Sequence, residues 1–277
     1  MAGKKKDTSL LHHLVGSRSL VWNLAKNDIK KKFAGSYFGV VWAFVQPVIT
    51  VLLYWFVFEK GLNSKATDLR TGIEIPFVLW LTAGLVPWFY FQEALNGGTG
   101  VLVEYSYLVK KVVFQIDMLP VVKMISALFT HLFFVAFTMV LFICMGYMPD
   151  WYALQVIYYS FCMILFATGL VYATSAVTVF FRDMKEVVGI LLQIGMWVTP
   201  IMWNFETMVQ IPGWAITVLK LNPMYYIVSG YRNALINHIG FWENMGITVY
   251  FWVVTAVILF LGTTVFKRLR PHFADVL

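Results

Sequence analysis

Six charge-free apolar stretches, at residues 33–58, 75–92, 124–149, 151–181, 187–205 and 244–266, constrain any fold of this chain. A helix needs about 20 apolar residues to cross bilayer hydrocarbon, and a charge at its centre costs roughly 2.5–3.5 kcal/mol. Each stretch therefore reads as a transmembrane helix. Composition agrees: 60% of the 277 residues are hydrophobic and 13% charged, against about 45–50% and 25% in soluble domains. The expected fold is an all-α polytopic membrane protein with six transmembrane helices and no large soluble domain. The N-terminus lacks the apolar core and cleavage site of a signal peptide, so no processing is expected. Cys144 and Cys162 lie within apolar stretches and read as packing residues rather than a disulfide.

Charge sets the orientation. With six spans both termini share a side, and that side holds 16 of the 21 Lys and Arg residues. The other side holds five: Lys60, Lys65, Arg70, Lys220 and Arg232. The positive-inside rule then places both termini in the cytoplasm. The net charge of +7 is thus a topology signal with attraction to anionic membrane lipids added, and it gives no indication of nucleic acid.

Along the chain, residues 1–17 read as a flexible basic N-terminus and 18–33 as an amphipathic helix lying in the cytoplasmic interface. Trp22, Ala25, Ile29 and Phe33 recur at spacings of three and four, with Lys26, Lys30 and Lys31 on other faces and Lys32 alongside. A positive-inside flank with accidental periodicity is the plainer alternative. Residues 34–277 form the membrane domain. Gln46 and Pro47 sit inside the first stretch, where proline removes a backbone donor and kinks a helix. Gly35 and Gly39 have a GxxxG spacing that is equally attributable to chance. The inner loop 93–123 is longer than a connector requires, and 104–111 can form a short helix within it. Residues 206–243 are apolar but interrupted by Pro212, Lys220, Pro223 and Arg232. A seventh span there would place Lys267, Arg268 and Arg270 outside, so two short re-entrant outer helices between the fifth and sixth spans fit better.

Several chemistries find no residues here. The chain has no GxxxxGK[ST] phosphate loop, no HExxH, no CxxC and no metal-like cluster. No Asp or Glu lies in any of the six stretches, where ion-coupled transporters place ionisable residues. Energy for uphill movement would then come from another subunit. His131, deep in a span, reads as a relay or as a hydrogen-bonded packing histidine.

Seven segments, read in order, resemble the membrane subunit of type-2 ABC exporters for cell-surface polysaccharides, the family that includes O-antigen, teichoic-acid and capsule permeases. They are NDIKKKF (27–33) leading into GVVWAFVQP (39–47), GLVPWFYF (84–91), LVKKVVF (108–114) followed by LP (119–120), VFFRD (179–183), QIGMWVTPI (193–201) and NPMYYIVSGYR (222–232). Gln115 departs from the proline common in the family, which puts the local turn of the inner loop in question.

The resemblance implies a homodimer of permeases in the bacterial cytoplasmic membrane. It also implies two separate ATP-binding cassette subunits that carry ATP and Mg, and an undecaprenyl-pyrophosphate-linked glycan as cargo. No catalytic residue, cofactor or metal is expected in this chain. Glu104, Tyr105, Leu108, Val109, Lys110 and Lys111 match the family's coupling helix, which docks on the ATPase; the two lysines are also explained as cytoplasmic-side charge. Trp22, Lys26, Lys30, Lys31 and Lys32 match its interface helix, where contact with lipid headgroups, the carrier pyrophosphate or the ATPase all remain open. Gln46 and Pro47 with Gln193 and Pro200 suit a lateral gate between the first and fifth spans. Trp42, Phe44, Tyr54, Trp197 and Tyr226 are candidate pathway aromatics, because a sugar's C–H face slides on a ring without fixed hydrogen bonds. Arg182 and Asp183 read as a structural charge pair at the membrane edge. A type-2 permease for drugs or small lipids, a membrane enzyme acting on polyprenyl lipids, and a membrane scaffold are the alternatives.

Overall fold

The computed structural model describes residues 18–32, 34–110, 115–203 and 212–277. The basic segment 1–17, Phe33 at the end of the expected interface helix and Lys111 of the inner loop lie outside the described residues. What is described is helical apart from one two-stranded hairpin.

An interface-type helix α1 (Arg18–Lys32) comes first. A 3-10 turn, Gly39–Val41, leads into α2 (Trp42–Trp55), which closes in a π-turn at Phe56–Gly61. The hairpin β1 (Ala66–Thr67) and β2 (Glu74–Ile75) is antiparallel, with Ala66 opposite Ile75. Helix α3 (Phe77–Thr99) runs through the middle of the domain, and two single-turn helices follow, α4 (Val101–Glu104) and α5 (Ser106–Val109). Then come α6 (Met118–Cys144), α7 (Gln155–Phe180), α8 (Met184–Val198), α9 (Gly213–Lys220), α10 (Pro223–Arg232), α11 (Met245–Leu269) and a last turn, α12 (Phe273–Val276).

Four segments are long and apolar enough to cross a membrane: Gly39–Gly61, Met118–Cys144, Trp151–Phe180 and Met245–Val276. The remaining two of the six apolar stretches look different once folded. Helix α3 has 23 residues, about 34 Å at 1.5 Å per residue, but Pro87, Gln92, Glu93 and Asn96 dilute its apolarity. It tolerates them because protein surrounds it: α2, α6, α7, α8 and α10 all pack on it, and Leu79, Leu81, Ala83, Leu85 and Ala94 are fully buried. In the fifth stretch, read as continuous over 187–205, helix α8 ends at Val198 and the described residues 199–203 are not helical. Thr199 precedes Pro200 and is extended, with φ −79° and ψ 122°, as the steric clash with a following proline requires. The 15 residues of α8 span about 22 Å, less than the roughly 30 Å of bilayer hydrocarbon.

Between α8 and α11 the chain forms two short helices. Asn222 caps α10 by accepting from the Met224 amide at 3.0 Å, and Pro223 occupies the first turn, where a missing N–H costs nothing. The π-turn Asn233–Asn237 ends at His238, whose φ is +52°.

Helices α7 and α11 meet at two glycines. A Cβ on Gly169 would come within 2.8 Å of the Leu259 nitrogen, and one on Gly262 would strike the Gly169 carbonyl. Without a hydrophobic drive between helices in lipid, close backbone approach at small residues supplies the packing. His131 is buried among α6, α7 and α10, its Nε2 3.2 Å from the Ser160 hydroxyl and 3.1 Å from the Tyr231 hydroxyl.

The hairpin turn is organised by Asp68. Its carboxylate accepts from Thr71 Oγ1 at 2.7 Å and from the Arg70 amide at 2.8 Å. Partial burial raises the carboxyl pKa, but the bonds from Thr71 and Arg70 outweigh it and hold the group below its ordinary 3.8. The turn is pinned to the end of α10, because the Leu69 amide donates to Asn237 Oδ1 at 3.0 Å.

Two predictions follow from this architecture. Gly262→Ala should overpack the α7–α11 contact and lower stability by about 1–3 kcal/mol, read by thermal unfolding in detergent. Because folding lowers the Asp68 pKa, its contribution is complete above the unfolded value of 3.8 and is lost as pH falls through the folded value. Amide protection over residues 69–73 should therefore drop only below about pH 4, and Asp68→Asn should remove that dependence.

Candidate functional site

Helix α1 lies against the start of α6 through Val21 and Ala25, which bury onto Met118 and Val122. The next inward position on that face, seven residues after Val21, is Asp28, only 5% exposed. A buried carboxylate needs a cation and hydrogen bonds. Lys123 of α6 supplies the cation, its Nζ 2.6 Å from Asp28 Oδ1, and Tyr105 donates to the same oxygen at 2.9 Å. Lys123 also reaches Glu104 Oε2 at 2.8 Å. One ammonium thus joins the interface helix, the α4–α5 turn and α6. The Tyr105 hydroxyl is held well above the usual phenol range, first by burial and then by its bond to the Asp28 carboxylate and that group's charge, so it stays a donor.

This cluster forms one wall of a cavity of about 750 Å³ between α1, α2, α3 and α6. Lys31, Lys32 and Lys123 line it together with Asp28, Glu93 and Glu104. Lys32 pairs with Glu93 at 2.6 Å. Lys31 differs: its ammonium lies 5.3 Å from the centre of the Tyr105 ring, and it joins none of the ion pairs among the described residues. A cation held only by a π face can be redirected to an incoming anion at little cost. Gln46 and Pro47 of α2 line the opposite wall with Ala43.

The coupling positions divide by burial. Tyr105 and Val109 point inward and are 3% exposed, and Leu108 packs partly against the same cluster. They anchor the turn, leaving Glu104 and Lys110 on the surface. Tyr107, which the motif reading passed over, stands beside them at 53% exposed.

The stripe of α1 that packs on protein is Val21, Ala25 and Asp28. Trp22 sits on the outer flank, 5.3 Å from Phe129 and under the Lys26 ammonium. Lys26 and Lys30 are exposed.

The gate and pathway residues do not converge within one chain. Phe44 meets Phe133 of α6 at 4.0 Å, Trp42 is exposed near Phe38, and Tyr54 contacts Phe58. Gln193 and Trp197 are exposed on the outward face of α8. Tyr226 is a core residue, stacked 4.7 Å from Phe251 with its hydroxyl 3.1 Å from both Tyr158 and Thr248, so it opens onto no pathway in this conformation.

Arg182 and Asp183 are exposed and do not pair among the described residues. Arg182 lines a neighbouring hollow with Lys185, Gly97 and Gly100. Asp183 starts α8, where the helix's free amides compensate a carboxylate.

Arg232, counted by topology among the outer loop cations, is buried. Its Nη1 and Nη2 donate to the Pro200 and Ile201 carbonyls at 2.7 Å each, and its Cζ lies 3.3 Å from the centre of the Trp80 ring. The break after α8 exposes carbonyls, and the guanidinium of α10 takes them. Gly84 makes room, since a Cβ there would lie 2.7 Å from Nη2.

Asp28, Lys123 and Arg232 therefore carry roles that motif reading did not assign. A signal existed for the first: Asp28 is the single acid within a lysine run and continues the Val21 and Ala25 face.

Residues 19–236 match the sequence model of the family described as ABC-2 type transporter. The chain is 24% identical over 266 residues to the O-antigen export system permease protein RfbA of Myxococcus xanthus, covering 96% of this chain and 98% of that protein. It is 22% identical over 258 residues to an O-antigen export system permease protein RfbA of Klebsiella pneumoniae, covering 92% and 93%.

Lys123→Met should strand the buried Asp28 carboxylate and destabilise the protein by about 3–5 kcal/mol. Glu104→Gln, at the more exposed end, should cost less than about 1 kcal/mol. Thermal unfolding of the two variants side by side checks the ordering.

Proposed function

The chain belongs to the ABC-2 type transporter family, and on that premise we propose that it is the permease subunit of an ATP-driven exporter that moves a lipid-linked polysaccharide across the bacterial cytoplasmic membrane. The curated relatives are permeases of O-antigen export, and they match this chain over nearly its whole length. An O-antigen-like or teichoic-acid-like polymer on undecaprenyl pyrophosphate is the proposed cargo. The observation that carries this reading is the charged cavity beside α1. It is polar, lies on the side that positive-inside counting makes cytoplasmic, and places Lys31 and Lys32 where a pyrophosphate headgroup would arrive while its lipid tail stays along α2.

In this reading the protein has six spans with both termini cytoplasmic. The four long apolar segments are joined by α3, long enough to cross, and by α8, completed past the break at Thr199 and Pro200 by the dip of α9 and α10. Two copies associate side by side. The largely uncovered α2, on which Leu52, Leu53 and Phe56 are exposed, and the outward face of α8 with Leu191, Ile194 and Trp197 offer apolar surface for that contact and for lipid. Gln46 and Pro47 on one copy and Gln193 and Pro200 on the other would then flank a lateral gate. Two separate ATPase subunits, holding ATP and Mg, dock at the α4–α5 turn through Glu104, Tyr107 and Lys110. Movement there reaches α1 through Lys123, because the same ammonium holds Glu104 and Asp28.

Lys31→Ala combined with Lys32→Ala should lower surface polysaccharide at least about ten-fold, as the loss of two charge-assisted contacts implies. A tagged copy should still recover an ATPase in equal amount. Gel analysis of surface glycan and quantification of the co-purified subunit check both. Undiminished export would overturn the headgroup role of this cavity.

A further inference from the structure

We propose that the outer half of the chain holds a second ligand site, a subsite for a single sugar ring, in the cavity between α10, the end of α8 and the β1–β2 hairpin. The inference rests on the polysaccharide reading above and adds to it a location and a set of recognising groups.

The sequence pattern comes first. Tyr225, Ser229, Asn233 and Asn237 recur at intervals of four along α10 and its π-turn, which places them on one face. All four line a cavity of about 230 Å³. The other faces of the same helix are buried through Met224, Ile227, Val228, Tyr231 and Leu235. Within this stripe the unengaged groups are on Ser229 and Asn233, since Asn237 is bonded to Leu69 and Asn233.

The hydrogen bonding fixes what the stripe presents. The Leu69 backbone N–H donates to Asn237, so the atom it meets is the carbonyl oxygen Oδ1. The Asn237 amide nitrogen is then left to donate, and it does so to Asn233 Oδ1 at 2.8 Å. Asn233 Nδ2 is then the donor left over on a residue that lines the cavity. The orientation of both amides follows from a single backbone donor. Among the described residues, no protein group engages Asn233 Nδ2, the Ser229 hydroxyl or the Asn244 side-chain amide, and all three line the cavity. Ser229 and Asn233 are half-buried and Asn244 is exposed, and half-buried polar groups without protein partners are satisfied by water or ligand.

The lining also includes two indoles, Trp80 and Trp203, with Lys220 and Arg232. Trp203 lines the cavity, and its indole is held by Nε1 donating to the Trp197 carbonyl at 2.9 Å. A pre-oriented ring in the same lining as amide and hydroxyl groups suits a pyranose, whose hydroxyls meet the polar stripe and whose C–H face lies on the indole. The volume lies below the roughly 300 Å³ at which drug-sized sites begin, which limits the occupant to about one ring of a longer chain. The hairpin contributes Thr67 and Leu69 to the lining, and through the Leu69 amide it sets the orientation of Asn237.

Asn233→Asp separates a ligand role from a structural one. It keeps the size and the acceptor for Asn237 but removes the two donors of Nδ2. The test is saturation-transfer NMR on the full chain in nanodiscs with a panel of methyl glycosides at millimolar concentration. Transfer to ring C–H protons of at least one glycoside is expected, reduced about five-fold or more in Asn233→Asp and in Ser229→Ala, as the loss of hydrogen bonds from the site implies. Unchanged thermal unfolding should accompany that loss. No transfer to any glycoside from the unaltered protein, or equal transfer from Asn233→Asp, overturns the subsite. Surface polysaccharide in a strain lacking this chain separates the two claims. If it disappears while the NMR result is negative, only the subsite fails. If it is unaffected, the exporter reading fails and the subsite with it.

Discussion

Backbone amides and carbonyls inside a bilayer must be satisfied by protein, and this constraint governs where the chain can depart from helix. The clearest departure is after Val198. Pro200 ends α8 short of a full crossing and leaves carbonyls at Pro200 and Ile201 without helical donors. Arg232 answers from α10 with two bonds of 2.7 Å, and its flat face rests on Trp80. A guanidinium suits this place because its planar fork donates to two carbonyls while it stacks on a ring. Lysine could do only part of that. The break, the short helices α9 and α10, and Gly84 on α3 form one solution to one backbone problem.

The second organising feature is charge gathered away from lipid. Asp28, Glu93, Glu104, Lys31, Lys32 and Lys123 come from α1, α3, the α4–α5 turn and α6, and they meet around a single cavity. Each carboxylate lies on a cation, so the cavity is formally balanced. Lys31 differs from the other lysines in having an aromatic face where they have an acid. The same arrangement makes Lys123 a shared joint. Displacing the exposed Glu104 leaves the buried Asp28 pair intact, so the turn and the interface helix are connected without being rigidly fused.

Seen together, the two features give the domain a polar site at each end of a core built around α3. Around the first cavity the groups are charged. Around the second, neutral amides and a hydroxyl stand with Lys220, Arg232 and two indoles.

Much of this was legible from the residues. The apolar stretches marked the long helices because burying an unpaired charge in lipid is costly, and the family resemblance rested on short strings spread along the whole chain. Pro223 marked an interruption of 206–243 and stands in the first turn of α10, since proline sterics act within a few residues. The protein-facing side of α1 was not legible because Asp28 is polar, and apolar periodicity cannot register a buried acid whose cation lies 95 positions away. Tyr226 was placed on a pathway by composition and proved to be core. Arg232 was assigned to an outer loop by counting charges, yet it is buried against carbonyls that only the folded chain brings near. The sequence by itself determined what is local: which segments are helical, where they stop, and which side carries the positive charge. Tertiary structure alone decided which distant charges share a cavity and which polar atoms remain without partners, because those pairings depend on helix packing that no spacing along the chain encodes.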